Sequence, residues 1–215
     1  MFFSFKNPRV WCSKECQDKF AFELIGTKGV FLDLGCYHPF DGSNSAALES
    51  FGWTGLLFDI REKWTSLCST HRSSPTFLVD VTSDEFSKIL TEHLPSKEVD
   101  YISLDVDEAG VGALNQLLSN GFRFKCMTFE HDLYTRPAEL LKIPSKEMLL
   151  EHGYIPLFEN VLTDGTDLPN LQPWEDWWID PEQFGEHILD TQDSDIFYRD
   201  CLKKIKLAKS RRKKK

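Results

Sequence analysis

Five short apolar runs, each closed by an acidic residue, constrain the fold of this 215-residue chain more than any other feature. The closing residues are Asp33, Asp59, Asp80, Asp105 and Glu130. Segments with helical spacing separate the runs, and this alternation favours a mostly parallel sheet with helices on both faces. Parallel strands end at the same edge, so we expect the five carboxyl groups to surround one crevice. A single acid at a strand end is usually a turn former, but five in register favour a functional site.

The same periodicity predicts the order of elements. The predicted strands are 30–34, 55–59, 76–80, 99–105, 124–130 and 154–162. The predicted helices are 12–25, 43–51, 61–70, 84–93, 109–119 and 144–152. No low-complexity linker divides the chain, which predicts one domain over 1–202 with its core at 29–182, followed by a basic tail at 203–215.

Charge is distributed unevenly along the chain. The net charge is −9, but residues 203–215 carry nine Lys and Arg and no acid, so residues 1–202 carry −18. A body this acidic repels phosphates, which argues against nucleic acid binding through it. For the tail we expect a disordered, solvated extension, with an anchor for RNA or an anionic membrane as the alternative.

The sequence also bears on location. No apolar run approaches the ~20 residues that cross a bilayer, and the N-terminus is interrupted too early for a secretory signal. The six cysteines are scattered, which favours reduced thiols in the cytoplasm.

The first strand predicts the kind of ligand. It breaks at Asp33-x-Gly35, and Gly35 lets the backbone approach a ligand where a Cβ would intrude. Asp59 ends the next strand, where a carboxylate can accept both hydroxyls of a ribose. Together these features indicate a protein that binds a cofactor containing adenosine.

Six segments occur in a characteristic order: VFLDLG at 30–35, GSN at 42–44, LESFGWTGL at 48–56, DYISLDV at 100–106, TFEH at 128–131 and WEDWWIDP at 174–181. Together they resemble the FkbM-like O-methyltransferases, a family of the class I S-adenosylmethionine-dependent methyltransferases. The resemblance covers residues 26–182 and implies a Rossmann-like, seven-stranded, mostly parallel sheet. The chain departs from many such enzymes at 36–42, which is bulkier than their Gly-x-Gly loop.

The resemblance implies roles toward the methyl donor, S-adenosylmethionine. The residues implied for its methionine portion are Asp33, Gly35, Ser43 and Asn44. Those implied for its adenosine are Asp59 at the ribose and Ile60, Asp80 and Val81 at the adenine. A cationic sulfonium suits acidic surroundings, and carboxylates bind diols through charge-assisted hydrogen bonds.

The acceptor side leaves two interpretations open. By resemblance, Asp105, Glu130 and His131 would be ligands of a divalent cation, Mg²⁺ or Mn²⁺, that acidifies the acceptor hydroxyl. Without a metal, Asp105 or His131 would be the general base.

Three aromatic residues are further candidates for the acceptor site. Trp177 and Trp178, flanked by carboxyl groups, are either core residues or a surface on which a sugar stacks. His38 lies near the expected methyl-transfer point, although a single loop histidine is more often structural.

These observations predict an O-methyltransferase that acts on a hydroxyl of a sugar, glycan or related small polyol. A nicotinamide-dependent oxidoreductase is the rival enzyme, disfavoured because no Gly-x-Gly-x-x-Gly follows the first strand. A binding module tethered by the basic tail is the alternative without catalysis. The sequence does not indicate an oligomeric state.

Overall fold

The structure, a computed structural model, describes residues 11–165 and 170–212. Its centre is one eight-stranded sheet with the order β3-β2-β1-β4-β5-β7-β6-β8. The strands are β1 (Val30–Leu34), β2 (Thr54–Asp59), β3 (Thr76–Leu78), β4 (Glu98–Leu104), β5 (Arg123–Glu130), β6 (Ile155–Thr163), β7 (Gln172–Ile179) and β8 (Asp193–Ser194).

Helices cover both faces of this sheet. They are α1 (Gln17–Ile25), α2 (Ala46–Ser50), α3 (Glu62–His71), α4 (Asp84–His93), α5 (Gly110–Ser119), α6 (Lys142–Glu151), α7 (Glu186–Leu189) and α8 (Tyr198–Arg212). Among the described residues, no helix is both long enough and apolar enough to cross a membrane.

The direction of the strand order reverses at β1. This strand pairs in parallel with β2 on one side and with β4 on the other. Only β7 runs against its neighbours, β5 and β6. A crevice therefore opens beyond the carboxyl end of β1, which is where open α/β sheets hold their ligands.

Side chains of the central strands alternate between two buried clusters. Leu32 and Leu34 of β1 pack with Phe86 of α4 on one face, and Phe31 packs with Phe20 of α1 on the other. Because both faces are covered, the strands are apolar at nearly every position, which explains the continuous runs in the sequence.

The first prediction to be corrected is the extent of the N-terminal helix. It begins at Gln17 and not at residue 12, because Cys16 adopts a left-handed conformation with φ 69°. The Asp18 carboxylate also accepts hydrogen bonds from the Cys12 and Ser13 amides, which folds 12–16 into a turn. The sheet has eight strands in place of seven, because the two-residue β8 pairs with β6.

Residues 203–212 of the predicted basic tail are helical in the structure. They continue α8, whose Cys201, Leu202 and Ile205 side chains are buried against the body. Lys209 donates to the Glu23 carbonyl at the end of α1. The buried face of α8 and the Lys209 hydrogen bond therefore hold these residues on the fold. Residues 213–215 lie outside the described part of the chain.

Candidate functional site

A cavity of about 290 Å³ opens at the carboxyl ends of β1, β4 and β5. The charged residues that line it are Lys14, Glu15, Asp33, Asp41, Arg61, Asp105, Asp107 and Glu130, a formal charge of −4 if all are ionised. A larger groove of about 630 Å³ lies between α7 and α8, away from these strand ends. The smaller cavity is the candidate site, because it lies where the strand order reverses.

Gly35 brings the backbone to the floor of this cavity. Its φ is +87°, and a Cβ placed on it would lie 1.7 Å from the Asp105 carbonyl oxygen. Both the conformation and the space exclude any other residue. The close approach of the β1 and β4 ends is therefore a consequence of this glycine.

Asp33 is a buried carboxyl beside Gly35. Burial raises its pKa from the ordinary 3.8 to about 6, although a hydrogen bond from the Ser45 hydroxyl and the charge of Arg72 act in the opposite direction. Arg72 donates to the Ser45 and Ser43 hydroxyls at 3.0 and 3.2 Å. Its guanidinium therefore fixes the loop after β1 beneath the cavity.

Asp59 and Arg61 form the edge of the site toward β2. The Asp59 carboxylate accepts hydrogen bonds from the Tyr37 amide at 3.1 Å and from the Arg61 amide and Nε at 2.8 and 3.2 Å. A carboxylate has about four acceptor positions, so three are in use. The Arg61 side chain is 56% exposed, so its contact with Asp59 lies at the solvent-facing edge of the site.

The structure divides the predicted donor residues into two groups. Asp33, Gly35, Ser43 and Asn44 line the cavity, and Asn44 donates to the Ser103 hydroxyl of β4 at 2.9 Å.

The four residues predicted to bind the adenosine do not line the cavity. They lie at or just after the carboxyl ends of β2 and β3: Asp59, Ile60, Asp80 and Val81. Ile60 is 67% exposed and Val81 is buried. Asp80 closes its own turn by accepting from the Thr82 amide and hydroxyl.

Asp105 and Glu130 form a coupled pair of carboxyl groups in the cavity. Burial and the neighbouring Asp105 charge raise the pKa of Glu130 well above its usual range. The side chain of Asp105 is exposed at the cavity wall, and its pKa is raised by loss of solvation from the surrounding protein atoms, although the hydrogen bond with Glu130 lowers it. Two adjacent carboxyl groups cannot both ionise easily, so the pair retains a proton to a higher pH than either group would alone.

Two further acids surround the pair. Burial raises the pKa of Glu15, whose carboxylate accepts a hydrogen bond from Thr163 at 2.9 Å. Burial also raises the pKa of Glu175 well above its usual range, and the charge of Glu15 adds to this effect. Four carboxyl groups with raised pKa values therefore lie at this end of the site.

The structure does not bring His131 to Asp105 and Glu130. The histidine is buried, with Nε2 3.3 Å from Asp176 and Nδ1 accepting from the Leu133 amide. Lys142 binds the same Asp176 carboxylate at 3.0 Å. Both ring nitrogens are occupied, so neither the metal-ligand nor the base role predicted for His131 fits this geometry.

A metal site is likewise not formed. Within residues 11–165 and 170–212, no three acidic, histidine or cysteine side chains are arranged to hold a metal ion. Of the three predicted metal ligands, His131 contacts Asp176 instead, and the carboxyl groups of Asp105 and Glu130 are hydrogen-bonded to each other.

The predicted acceptor residues lie elsewhere. Trp177 and Trp178 are fully buried, one on each face of the sheet, so neither offers a surface to a sugar. The His38 Nδ1 accepts hydrogen bonds from the Phe40 and Asp41 amides and closes its own loop. Of the segment at 174–181, only Trp174 lines the cavity.

The residues that sequence reasoning missed include Arg72, Glu15 and Arg61. Arg72 and Glu15 have no local signal, because their partners are distant in the chain: Ser43 for Arg72 and Thr163 for Glu15. Arg61 did have a local signal in the sequence, because a basic residue two positions after the strand-end Asp59 can form an ion pair with that carboxylate.

Similarity to known proteins is confined to structure. No family model and no curated protein matches the sequence. The chain resembles an S-adenosylmethionine-dependent O-methyltransferase from Thermotoga maritima at 14% identity and TM-score 0.51, covering 82% of this chain and 68% of that one.

Two other solved structures are similar to the same degree. A proposed RNA methyltransferase from Pyrococcus horikoshii gives 14% identity and TM-score 0.51, with 81% and 91% of the two chains covered. The structure of WbdD is 18% identical with a TM-score of 0.50. The match covers 76% of this chain but only 33% of the WbdD chain. At these identities the likeness establishes the fold, and it is that of the class I methyltransferases.

Proposed function

We propose that this protein is an S-adenosylmethionine-dependent methyltransferase that methylates a hydroxyl of a small polyol such as a sugar. The acidic cavity beside Gly35 carries the proposal, because it lies where the strand order reverses and its excess negative charge suits a cationic donor. The finer assignment to the FkbM-like family rests on the motifs, and the cytoplasmic location on the reduced cysteines.

The lining residues fit the donor. The backbone at Gly35 leaves room that a Cβ would fill, and Asn44 presents a side-chain amide at the cavity wall. Asp59 would accept the ribose hydroxyls once Arg61 withdraws, and the exposed Ile60 offers an apolar face to adenine. S-adenosylmethionine supplies an electrophilic methyl group bound to a positively charged sulfur.

The carboxyl pair Asp105 and Glu130 would serve the acceptor. In an in-line displacement the hydroxyl oxygen attacks the methyl carbon, so the enzyme must align the two and receive the hydroxyl proton. A pair that has lost its shared proton holds an excess of negative charge, and a raised pKa makes it a stronger base than a free carboxylate. No step requires His131 or a metal.

The charge of the cavity favours a neutral acceptor over a polyanion. Some proteins of this fold are described as acting on RNA, but phosphates would face the Asp105, Asp107 and Glu130 carboxylates here. A small polyol instead offers hydroxyl groups that these carboxylates bind as hydrogen-bond acceptors.

Donor binding is the first test. Isothermal titration with S-adenosylmethionine, S-adenosylhomocysteine and NAD separates the methyltransferase from the oxidoreductase and from a module without a cofactor. We expect binding of the first two ligands, loss of about tenfold or more in affinity in Asp59→Asn, and no change in the control Glu92→Gln on the exposed face of α4. Binding of NAD alone would refute the proposal.

Methyl transfer is the second test. Mass spectrometry of candidate polyols incubated with a labelled donor, with and without EDTA, identifies the acceptor and tests the metal. We expect labelling that is unaffected by EDTA and falls by about a hundredfold or more in Glu130→Gln while donor affinity is retained. Unchanged turnover in that variant would exclude the carboxyl pair as the base.

A further inference from the structure

Two cysteines meet directly beside the donor cavity. The Sγ atoms of Cys36 and Cys68 are 3.8 Å apart and hydrogen-bonded, although the residues are 32 positions apart in the chain. Cys36 follows Gly35 and lines the cavity, and Cys68 lies in α3. We propose that Cys36 and Cys68 form a reversible disulfide that responds to hydroperoxides and weakens donor binding.

The geometry needs only a small movement. A disulfide has an S–S distance of about 2.05 Å, so the two sulfurs must approach by about 1.8 Å, a distance within the reach of side-chain rotation and a shift of the loop. All six cysteines are reduced in the structure. Cys126 and Cys201 direct their thiols at the backbone carbonyls of Asp100 and Phe197. Cys68 also contacts a carbonyl, that of Tyr37 at 3.5 Å, but it additionally accepts the hydrogen bond from Cys36.

The surroundings assign different roles to the two thiols. Cys36 donates its hydrogen to Cys68, and this hydrogen bond, assisted by the charge of Arg72, lowers the pKa of Cys68 despite burial. The same hydrogen bond and burial raise the pKa of Cys36. Cys68 therefore supplies the thiolate, and Cys36 is the resolving thiol.

The chemistry balances with hydrogen peroxide as the oxidant. The Cys68 thiolate attacks one peroxide oxygen, the O–O bond breaks, and a sulfenic acid and hydroxide form. The Cys36 sulfur then attacks the sulfenic sulfur, and water leaves as the disulfide forms. Two electrons pass from sulfur to peroxide. Because both thiols are buried, the oxidant enters through the cavity that Cys36 lines.

The bond would act on the site through the neighbours of Cys36. Gly35 has no freedom to follow a displaced Cys36, since its backbone is packed against the Asp105 carbonyl. On the other side, the Tyr37 amide donates to Asp59, the carboxylate assigned to the ribose. Drawing Cys36 toward α3 therefore disturbs both ends of the donor site. This effect on binding rests on the proposed function, whereas formation of the disulfide does not.

Peptide mapping tests the disulfide itself. The native protein is treated with hydrogen peroxide, free thiols are blocked with N-ethylmaleimide, and the chain is digested with trypsin without reduction. We expect a linked pair of the peptides 29–61 and 64–72, which contain Cys36 and Cys68. The pair should be absent from Cys36→Ser and Cys68→Ser and present in the control Cys201→Ser. Oxidation of other cysteines without this pair would overturn the proposal.

Titration with S-adenosylmethionine tests the consequence. We expect affinity to fall about tenfold on oxidation of the wild type, to recover with dithiothreitol, and to be insensitive to peroxide in Cys68→Ser. A saturating donor should also slow formation of the linked pair by blocking the cavity. A disulfide that leaves affinity unchanged would refute the switch. A reduced protein that never binds the donor would refute the proposed function and leave the mapping intact.

Discussion

At the scale of single residues, the site is defined by carboxyl groups whose surroundings differ. Asp33 is buried and hydrogen-bonded to Ser45, Asp59 accepts hydrogen bonds from Tyr37 and Arg61, and the Asp105 carboxyl group is coupled to that of Glu130. Their positions at strand ends are similar, yet only the last two carboxyl groups form a coupled pair. Sequence spacing located these acids, and their neighbours determined their chemistry.

The pKa of Asp33 predicts a dependence of stability on pH. Its folded value of about 6 lies above the ordinary 3.8, so between these pH values the folded state holds a proton that the unfolded chain has lost. The free energy of unfolding should therefore fall as pH rises from about 4 to 6, by about 3 kcal/mol from this group. Urea unfolding of wild type and Asp33→Asn across this range isolates the contribution. Parallel curves for the two proteins would contradict it.

Gly35 and Gly121 provide a matched comparison. Both have positive φ, but a Cβ on Gly121 meets no atom within 4 Å, whereas one on Gly35 overlaps the Asp105 carbonyl. Gly121→Ala should reduce the free energy of unfolding by about 1 kcal/mol and retain donor binding. Gly35→Ala should cost about 3 kcal/mol or more and abolish binding. Chemical denaturation and titration measure both, and equal effects would show that space at Gly35 is unimportant.

At the scale of elements, the conformations of two segments, the loop after β1 and the C-terminal segment, depend on contacts with residues distant in the sequence. The loop after β1 is held by Arg72, which reaches it from the end of α3. Residues 203–212 of the basic segment are helical, and α8 packs on the body through Leu202 and Ile205. Most strands and helices agree with the predicted bounds within two or three residues, since hydrophobic periodicity is local. The larger differences, at the start of α1 and in the C-terminal segment, result from contacts with other side chains.

Two positions on α8 test that it is packed in solution. Ile205 is fully buried and Leu207 is 57% exposed. We expect Ile205→Ala to lower the free energy of unfolding by about 2–4 kcal/mol, because it leaves a cavity in the core. Leu207→Ala should change it by no more than about 0.5 kcal/mol. If urea denaturation gave the same small change for both variants, the segment would be detached as the sequence suggested.

At the scale of the whole molecule, charge is separated along the chain and in space. Residues 1–202 carry a net charge of −18, and the charged residues that line the cavity sum to −4 if all are ionised. Lys206 and Lys209 near the end of α8 instead pair with Glu23 of α1. An acidic body raises the local concentration of a cationic ligand and repels anions. This charge would favour the proposed donor before any specific contact forms.

The negative electrostatic potential of the cavity should affect the rate at which charged ligands associate. S-adenosylmethionine carries the sulfonium charge that S-adenosylhomocysteine lacks. Stopped-flow binding should show the donor's association rate falling about tenfold between about 0.01 and 1 M salt, as the Debye length shrinks from roughly 30 to 3 Å. The product analogue should change little. Equal salt dependence for both ligands would show that the charge of the cavity does not guide the donor.

The sequence by itself determined the class of fold and the edge of the sheet where the site lies. Apolar periodicity sets strands and helices over a few residues, and the carboxyl ends of parallel strands must share an edge. That is why the acids at Asp33, Asp59, Asp105 and Glu130 were found from spacing alone.

Only the tertiary structure decided what each side chain does there. Trp177 and Trp178 are buried core residues, and the His131 ring contacts Asp176 and does not line the cavity. Arg72 and Glu15 entered the site through partners 29 and 148 positions away. Such contacts depend on how the elements pack, and a linear pattern of residue types does not encode that packing locally.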